Sequence, residues 1–321
     1  YHQIVLCSFS YKPLVLKERA AMTMNLPSVP GDQNIGYTNR IFVQALFPYR
    51  KNEDYRRAIT QGSKEVIISS PNGLPYGKYP RLIMAYIITA AVARANQAEE
   101  GLLDEDEARR IPLGESLNSF FRRIGTASRG TGGTRGTITL IREQLVRLAS
   151  SSIVVQSRVK RGSKERVRGI NQPIADEWEL WFDSGNPDQT TIQDSYIQLT
   201  ERFFDMTADA PIPIDLDILQ QLGKPRAMDI YVWITIKKAT LHYQNRESLT
   251  FSWDEMEHQF SPKALTTWSQ RANFRNEFNG CLDAIRELWP DVGVDTDTKA
   301  GVTLHKGTPS VTMRPPRKQL P

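Results

Sequence analysis

A short motif occurs twice in this chain, once in each half. Residues Gly77–Tyr86 read GKYPRLIMAY, and residues Gly223–Tyr231 read GKPRAMDIY. In both copies a proline is followed directly by arginine and, six residues after the proline, by tyrosine. Proline suits the first turn of a helix, because its missing N–H would have no intrahelical partner there. The repeat therefore predicts two helices in equivalent positions and a fold that carries the same plan twice.

The segments after the first motif predict two helices and then a hairpin. Apolar residues recur at helical spacing in Leu117–Ile124 and Ile138–Leu148, which a glycine-rich loop separates. Runs rich in β-branched and aromatic residues lie on both sides of the basic tip KRGSKE and predict the strands of a β-hairpin: Ile153–Val159 before the tip, and Arg166–Asn171 and Glu177–Phe182 after it. Together with the helix of the motif, this gives the element order of a winged-helix domain.

The segments around the second motif repeat this order. The predicted elements are three helices and two strands, at Ala227–Lys237, Ser252–Phe260, Gln270–Trp289, Val292–Asp297 and Val302–Lys306. We therefore predict an α+β fold of two tandem winged-helix domains, each a helical core with a β-hairpin wing.

Composition sets the predicted domain boundaries. Stretches rich in glycine, proline and small polar residues, with little periodicity, indicate an arm and a linker. The predicted segments are an N-terminal arm at 1–38, a first winged-helix domain at 39–183, a linker at 184–195, a second winged-helix domain at 196–314 and a C-terminal tail at 315–321. Near the start of the first domain, Ile41–Phe47 and Glu65–Ser69 are predicted strands.

Basic residues are concentrated in one part of the chain. The whole sequence carries a formal net charge of +5, from 41 Lys and Arg against 36 Asp and Glu. Residues 119–170 alone contain twelve basic and two acidic residues, a net charge of +10. This segment spans the glycine-rich loop, the helix after it and the hairpin tip, which share one surface in a winged helix. A patch of this sign indicates an acidic partner such as nucleic acid.

The glycine-rich loop Arg129–Thr137, RGTGGTRGT, does not fit a nucleotide site. A P-loop lies between a strand and a helix and ends in Gly-Lys, whereas a predicted helix precedes this loop and no lysine follows Gly136. A dinucleotide-binding loop also has to leave a parallel strand. As the turn of a helix-turn-helix, the loop would let the backbone approach DNA. The predicted DNA contacts are Arg129, Thr134, Arg135 and Thr137; a flexible, solvated loop is the alternative.

Further DNA contacts are predicted on the next helix and on the hairpin tip of the first half. These residues are basic or carry hydroxyl groups, which suits contacts that are mostly to phosphate. They are Thr139, Arg142, Lys160, Arg161, Lys164 and Arg166.

In the second half, polar residues cluster near the start of the long helix. Arginine pairs with guanine and asparagine with adenine, so these residue types can read base edges. The predicted contacts are Arg271, Asn273, Arg275 and Asn276 on the helix and Lys299 in the second wing. An ordinary polar helix surface is the alternative. Trp253, Trp268 and Trp289 are predicted to pack in the core rather than to stack on bases.

The sequence predicts no catalytic residue, no cofactor and no metal site. The four histidines lack the H-x-H or H-E-x-x-H spacing of metal ligands. Adjacent acids in Asp104–Glu107 do not face one another on a helix. Cys7 and Cys281 lie far apart, which suits a reducing compartment, and no apolar run reaches eighteen residues. We therefore predict a cytoplasmic protein that is not an enzyme and has no membrane segment.

Several of these segments carry a resemblance. The stretch GLPYGKYPRLIMAYIITAAV at Gly73–Val92 is the most specific, and LGESLNSFFRRIG, TGGTRGTITLIREQLVRLASSSI, IDLDILQQLGKPRAMDIYVWIT and FRNEFNGCLDAIRELWP follow it. From about Ile41 to Thr312, the chain resembles the RepA-type plasmid replication initiators of bacteria. The resemblance implies binding to repeated origin sequences (iterons), melting or remodelling of adjacent AT-rich DNA, recruitment of the host initiator and replicative helicase, and exchange between repressing dimers and initiating monomers.

Other functions stay open at this point. A winged-helix repressor without an initiation role could have the same DNA footprint. A DNA-nicking enzyme is disfavoured by the histidine pattern. A scaffold whose hairpins bind partner proteins would show no salt-sensitive DNA binding. The resemblance, and not the composition, favours initiation and a plasmid- or nucleoid-associated location.

Overall fold

Both repeated prolines lie in the first turn of a long helix in the computed structural model, at Tyr79–Glu99 and Pro225–Tyr243. Each helix is buried over much of its length, which matches its apolar sequence. The structure describes residues 34–44, 47–61, 64–113, 120, 124, 136–161, 164–181, 195–209, 211–261 and 263–311, all within one compact unit, 31–312.

The elements of the first half, with a short 3-10 helix at Arg40–Gln44, are β1 Ile35–Thr38, β2 Arg56–Gln61, β3 Lys64–Ser69, α1 Tyr79–Glu99, α2 Glu105–Arg109, β4 Arg110–Pro112, α3 Thr137–Ala149, β5 Ser152–Arg161, β6 Lys164–Pro173, β7 Ala175–Glu179, β8 Tyr196–Leu199 and α4 Glu201–Asp209. The strands β2-β3-β5-β6 form an antiparallel sheet in that order, and β4-β8-β7 form a second one.

The elements of the second half are β9 Ile212–Asp215, α5 Leu216–Leu222, α6 Pro225–Tyr243, β10 Ser248–Phe251, α7 Trp253–Phe260, α8 Trp268–Leu288, β11 Val294–Asp297 and β12 Gly301–His305, with a 3-10 turn at Pro290–Val292. The sheet order is β10-β12-β11, so β11 and β12 form a hairpin wing beside the strand that precedes α7. This is the winged-helix order, and the predicted α+β fold of tandem winged helices is confirmed.

Capping residues explain where α7 and α8 begin. The hydroxyl of Ser252 accepts from the N–H of Glu255, and the Glu255 carboxylate accepts from the N–H of Ser252. Thr267 and Gln270 form the same reciprocal pair at α8. Each box satisfies two N–H groups that have no partner within the helix. The apolar stripe of α8 then buries Phe274, Phe278, Leu282 and Ile285 as predicted.

The start of the chain differs from the prediction. Ile35–Thr38, predicted within the N-terminal arm, is strand β1 and pairs antiparallel with β9, which joins the two halves. Of the predicted strand Ile41–Phe47, residues 41–44 instead belong to the 3-10 helix Arg40–Gln44, and residues 45 and 46 lie outside the described residues. The cause is Asn39, whose side-chain oxygen accepts from the N–H of Ile41 and whose carbonyl oxygen accepts from the N–H of Phe42, both at 3.0 Å.

The middle of the chain also differs. Tyr196–Leu199 was predicted to open the second domain, but as β8 it lies between β4 and β7 in the first half. Helix α4 then packs against α1. Most of the predicted linker lies outside the described residues. Of the predicted helix Leu117–Ile124, the structure describes Phe120 and Ile124, both buried, with the N–H of Ile124 donating to the Phe120 carbonyl at 3.0 Å as in a helical turn.

The predicted positions of the tryptophans are confirmed in two cases and wrong in one. Trp253 and Trp289 are buried, and their rings make edge-to-face contacts with Phe278 and Tyr231. Trp268 is 84% exposed. It is the first residue of α8, six residues before the buried stripe starts at Phe274, so its side chain has no core to enter. Within the described ranges, no helix combines the length and the apolar composition needed to span a membrane.

A buried lysine ties α6 to the base of the second wing. The Lys238 ammonium donates to the carbonyl oxygens of His305 and Lys306, at 2.9 and 3.1 Å, and lies 5.5 Å from the centroid of the Trp289 ring. Burial lowers the pKa of Lys238 from 10.5 to about 8. The end of β12 is therefore held by a group whose charge the fold disfavours.

The lowered pKa of Lys238 predicts a dependence of stability on pH. Between about pH 8 and pH 10.5 the unfolded chain holds a proton on Lys238 that the folded chain has released. The free energy of unfolding should therefore rise with pH in this window, and Lys238→Met should remove that rise. Denaturant unfolding of both proteins at fixed ionic strength measures it. A difference between them that stays constant from pH 8 upward would contradict the lowered pKa.

Gly280 predicts a stabilising substitution. It lies in the middle of α8 on the exposed side, and a Cβ built there meets nothing within 4 Å. Gly280→Ala should raise the free energy of unfolding by about 0.5–1 kcal/mol, because alanine loses less backbone entropy on folding. Gly36→Ala is the control, since its Cβ would lie 2.5 Å from the Leu216 side chain and should destabilise. A lower denaturation midpoint for Gly280→Ala would contradict the open environment.

Candidate nucleic-acid interface

The hairpin of β5 and β6 projects beyond the sheet that supports it. Its strands pair from Ser152 with Pro173 to Arg161 with Lys164. The neighbouring strand β3 pairs with β5 only as far as Ser157. The outer part of the hairpin is therefore a two-stranded ribbon, and the described side chains from 158 to 169 on it are exposed.

The pairing register sorts the charges of this ribbon onto two faces. Directly paired residues share a face, and successive residues alternate between faces. Ser157 pairs with Arg168, Val159 with Arg166, and position 161 with Lys164. This face, which we call the basic face, carries Lys164, Arg166 and Arg168 and no acidic residue. It continues the side of β5 on which Ile153 is buried in the core.

The opposite face is more nearly neutral. Lys160 pairs with Glu165, and Arg158 pairs with Val167. Lys160, one of the predicted phosphate contacts, therefore lies on the face of the ribbon opposite to Lys164 and Arg166. Its cross-strand neighbour on that face is the carboxylate of Glu165. Arg168 is missing from the predicted contacts. The alternation Lys-Glu-Arg-Val-Arg from Lys164 to Arg168 was the signal that could have found it, because strand residues two apart share a face.

Helix α3 begins at the end of the glycine-rich loop. Gly136 is its N-cap, Thr139 on its first turn is exposed, and Thr137 and Arg142 are half-buried. These three predicted contacts lie within the first two turns of the helix. Arg129, Thr134 and Arg135, together with the Arg161 side chain, lie outside the described residues.

A loop covers the remaining polar face of α3. The Tyr76 hydroxyl donates to Glu143 at 3.0 Å, and Arg147 bridges Glu143, at 2.8 Å, and the carbonyl oxygen of Leu74, at 2.9 Å. Although burial opposes the shift, the Tyr76 hydrogen bond and the cations of Arg147 and Lys51 lower the pKa of Glu143. Glu143 and Arg147 are thus held within the protein, so the polar surface of α3 that can meet DNA is its N-terminal part.

In the second half, the two predicted arginines of α8 contact the protein itself. Arg271 forms ion pairs with Asp254 at 2.6 Å and with Glu257 at 3.1 Å. Arg275 donates to the carbonyl oxygen of Thr298 at 3.2 Å, and its guanidinium lies over the Trp253 ring. The hydrogen bond to Asp254 raises the pKa of Arg271. Both arginines therefore tie α8 to α7 and to the second wing.

The asparagines of α8 are placed differently. Ser269, Asn273, Asn276 and Gly280 are exposed at spacings of four, three and four residues, which puts them on one outward face. Beyond Gly280 that face becomes acidic, with Asp283 and Glu287. A DNA-facing surface on α8 is therefore restricted to its N-terminal half, where Trp268 is also exposed.

The second wing is much shorter than the first. Its turn, residues 298–300, carries Lys299. This predicted DNA contact is exposed. The Asp297 carboxylate accepts from the N–H groups of Lys299 and Ala300, both at 2.7 Å, and these bonds lower the pKa of Asp297. The strong positive charge of the first wing has no equivalent here.

The described part of the chain holds no group of three or more His, Cys, Asp and Glu side chains that could bind a metal ion. His258 contacts the carbonyl oxygen of Thr60, and His305 pairs with Asp295 at 2.8 Å. These histidines make contacts within the protein.

Comparisons with known proteins agree with the tandem fold. A crystal structure of selenomethionine derivatives of domains 2 and 3 of RctB gives a TM-score of 0.51 over 85% of this chain and 97% of that chain, at 13% identity. A crystal structure of RctB domains 2–3 gives 0.45 over 82% and 94%, at 10% identity. At this identity, the first likeness shows the fold alone. No curated protein sequence matches the chain.

A family profile matches the amino-acid sequence itself over more than half of the chain. The profile described as plasmid encoded RepA protein covers residues 74–255, more than half of the chain. The matched region includes both copies of the repeated motif, helix α3 and the basic wing. The chain therefore belongs to the plasmid-encoded RepA proteins, the RepA-type plasmid replication initiators.

Proposed function

We propose that this RepA protein initiates plasmid replication by binding double-stranded DNA at iterons of its plasmid origin. It acts as a non-enzymatic binding protein in the cytoplasm, associated with the plasmid. Once bound, it remodels adjacent AT-rich DNA and recruits the host initiator and replicative helicase, and it can self-associate into a dimer. The observation that carries DNA binding is the basic face of the first wing, and Thr139 adds an exposed polar side chain on the first turn of the recognition helix α3.

The basic face supplies affinity without sequence preference. Lys164, Arg166 and Arg168 follow one another at alternate positions along β6, about 7 Å apart, on one side of an exposed ribbon. A duplex carries a phosphate every 3.4 Å or so along each strand, and each neutralised phosphate releases a counterion. Such contacts position the protein on DNA but do not read its sequence.

Base reading falls to the two recognition helices. In α3 the exposed candidate is Thr139, with Arg142 on the next turn. In α8 the exposed candidates are Asn273 and Asn276, because asparagine amides pair bidentately with adenine. Arg271 and Arg275, which the sequence suggested as base contacts, would reach DNA only by exchanging their bonds to Asp254, Glu257 or Thr298. We therefore assign them first to holding α8 in place.

Two recognition helices on one chain imply a binding site with two parts. Each helix occupies one major groove, and grooves on the same side of a duplex recur every 10–10.5 base pairs or so. A single protein molecule therefore covers two successive major grooves of one iteron, and repeated iterons align several molecules beside the AT-rich segment.

The direct test is binding of the purified chain to its own plasmid's origin DNA, compared with shuffled DNA of equal length, over a range of salt concentrations. We expect preference for the repeated segment, steep loss of affinity as salt rises, and permanganate reactivity of thymines in the adjacent AT-rich DNA when host proteins are present. Specific binding without such reactivity would indicate a repressor. Equal, weak binding to both DNAs would contradict sequence-specific initiation.

The two faces of the wing predict different salt dependences. Arg166→Ala should weaken binding to all DNA sequences and reduce the slope of log affinity against log salt by about 0.9, because one phosphate contact is lost. Lys160→Ala removes the same charge from the other face and should leave the slope within error of the wild type. Fluorescence anisotropy with origin DNA at several salt concentrations measures both. Equal effects of the two substitutions would contradict the assignment of the contact to the basic face.

The outward face of α8 predicts a loss of specificity. Asn276→Ala should weaken binding to the iteron by about 1–3 kcal/mol, and it should leave binding to shuffled DNA unchanged. Gln221→Ala, which removes an exposed amide at the end of α5, is the control. Competition binding with iteron and shuffled DNA gives the specificity ratio. If Asn276→Ala kept the wild-type ratio, α8 would not read bases through this residue.

A further inference from the structure

A buried ion pair links the two halves of the protein. Arg81 of α1 and Asp229 of α6 form two parallel hydrogen bonds, Nε to Oδ1 at 2.6 Å and Nη2 to Oδ2 at 2.7 Å. The two residues are only 8% and 7% exposed. Because a guanidinium and a carboxylate are both planar, this bidentate arrangement fixes direction as well as distance.

The pair occurs where the internal repeat is broken. In the repeated motif Arg81 corresponds to Arg226, and Asp229 stands where the first copy has Met84. The second helix therefore presents a carboxylate to the arginine of the first, whereas the first helix presents a thioether at the equivalent position. Because the second copy has Asp229 where the first has Met84, a directional hydrogen-bonded ion pair forms between two halves that have the same fold.

Arg81 donates two further hydrogen bonds, both to main-chain carbonyl oxygens. Its Nη2 donates to the carbonyl oxygen of Phe47 at 2.8 Å, and its Nη1 donates to that of Gly77 at 2.5 Å. Arg81 thus joins the start of α1, the Phe47 segment and α6 in a single network. A buried guanidinium with these partners tolerates little displacement, because moving it breaks several hydrogen bonds together.

Tyr49 connects the two equivalent arginines. The centroid of its ring lies 5.4 Å from Cζ of Arg81 and 5.0 Å from Cζ of Arg226, and its hydroxyl donates to the carbonyl oxygen of Phe260 at 3.2 Å. Burial raises the pKa of Tyr49, and the charge of Asp229 adds to the shift. One aromatic ring therefore contacts the same arginine of both repeats, and its hydroxyl reaches the end of α7.

The apolar packing at this boundary includes a small cavity. A cavity of about 30 Å³ lies beside the ion pair, lined by Met84 and Ala85 of α1 and by Met228 and Val232 of α6. A buried ion pair contributes little net stability, since the energy of desolvating two charges offsets most of their attraction. Its distinct contribution is therefore orientation rather than free energy.

We infer that Arg81 and Asp229 are positioning residues that fix α3 and α8 at one separation, and so set the spacing between the two parts of the iteron that the protein accepts. The inference rests on the proposed function for its DNA consequence. Helix α3 packs against α1 in the first half, and α8 packs against α6 in the second half, so the angle between α1 and α6 determines where both recognition helices meet DNA. One base pair of added spacing rotates the second groove by about 34°.

The test separates orientation from stability. Arg81→Leu alone leaves Asp229 buried without its partner and should lower the melting temperature. The double variant Arg81→Leu with Asp229→Leu should melt at or above the wild-type temperature, because an apolar pair replaces the ion pair without leaving a charge. Arg109→Leu is the control, since Arg109 pairs with Asp106 and Asp176 inside the first half.

Each protein is titrated against the natural iteron and against iterons with one base pair inserted or removed between the two contacted grooves. The wild type and Arg109→Leu should bind the altered iterons at least about tenfold more weakly. For the double variant, the affinities for the natural and the altered iterons should differ by less than about threefold, and its melting temperature should not fall below that of the wild type. If it discriminated as sharply as the wild type, the inference would be overturned.

A second measurement needs no DNA and tests the inference even if iteron binding fails. Spin labels at Gln97→Cys on α1 and Ala239→Cys on α6, both exposed positions, report the distance between the halves. The background carries Cys7→Ser and Cys281→Ala. A wider distance distribution in the double variant than in the otherwise wild-type protein supports the inference, and an equal width overturns it. If the protein did not bind iterons but the inference held, the double variant would still show a wider distance distribution than the otherwise wild-type protein.

Discussion

The hydrogen-bonded contact between Arg81 and Asp229 connects the two copies of one structural plan. Each copy has its own helices and its own wing, the buried apolar residues of both copies form one continuous cluster, and strand β1 adds a main-chain pairing with β9. Main-chain pairing and apolar burial bring the halves together, and we attribute the choice of a single angle between α1 and α6 to the ion pair. A bidentate ion pair with both members buried fixes direction as well as distance. The relative placement of α3, α8 and the basic wing follows from that angle.

Strand register gives the first wing its electrostatic character. A segment with a net charge of +10 could spread its cations over every direction. The pairing of β5 with β6 instead puts Lys164, Arg166 and Arg168 on one side and sets Lys160 opposite Glu165 on the other. Such a ribbon presents its positive charge in one direction, as a surface that follows a phosphate backbone must. The second wing has a three-residue turn, and the last residue of the strand before that turn is Asp297, so this wing carries little net charge.

The sequence predicted the plan better than the boundaries or the individual contacts. Helical periodicity and the repeated prolines located α1, α3, α6 and α8, because those signals are local. The strand at Ile35–Thr38 and the placement of β8 depend on partners more than eighty residues away, which no local pattern shows. Charge and residue type selected Arg271 and Arg275 as base contacts, but their partners on α7 and the second wing come from tertiary folding. Lys160 and Arg168 differ in a way that the sequence does show: residues two apart on a strand share a face, so the alternation from Lys164 to Arg168 places Arg168 with Lys164 and Arg166, and the pairing with Glu165 places Lys160 on the other face.

The central claim is that one RepA molecule reads an iteron with two recognition helices held at a fixed separation. Dimethyl sulfate protection of guanine N7 on origin DNA tests it most directly, because that atom lies in the major groove. The account predicts two protected patches in each repeat, centred about 10–10.5 base pairs apart on one side of the duplex. Protection of a single patch per repeat, or of none, would contradict it.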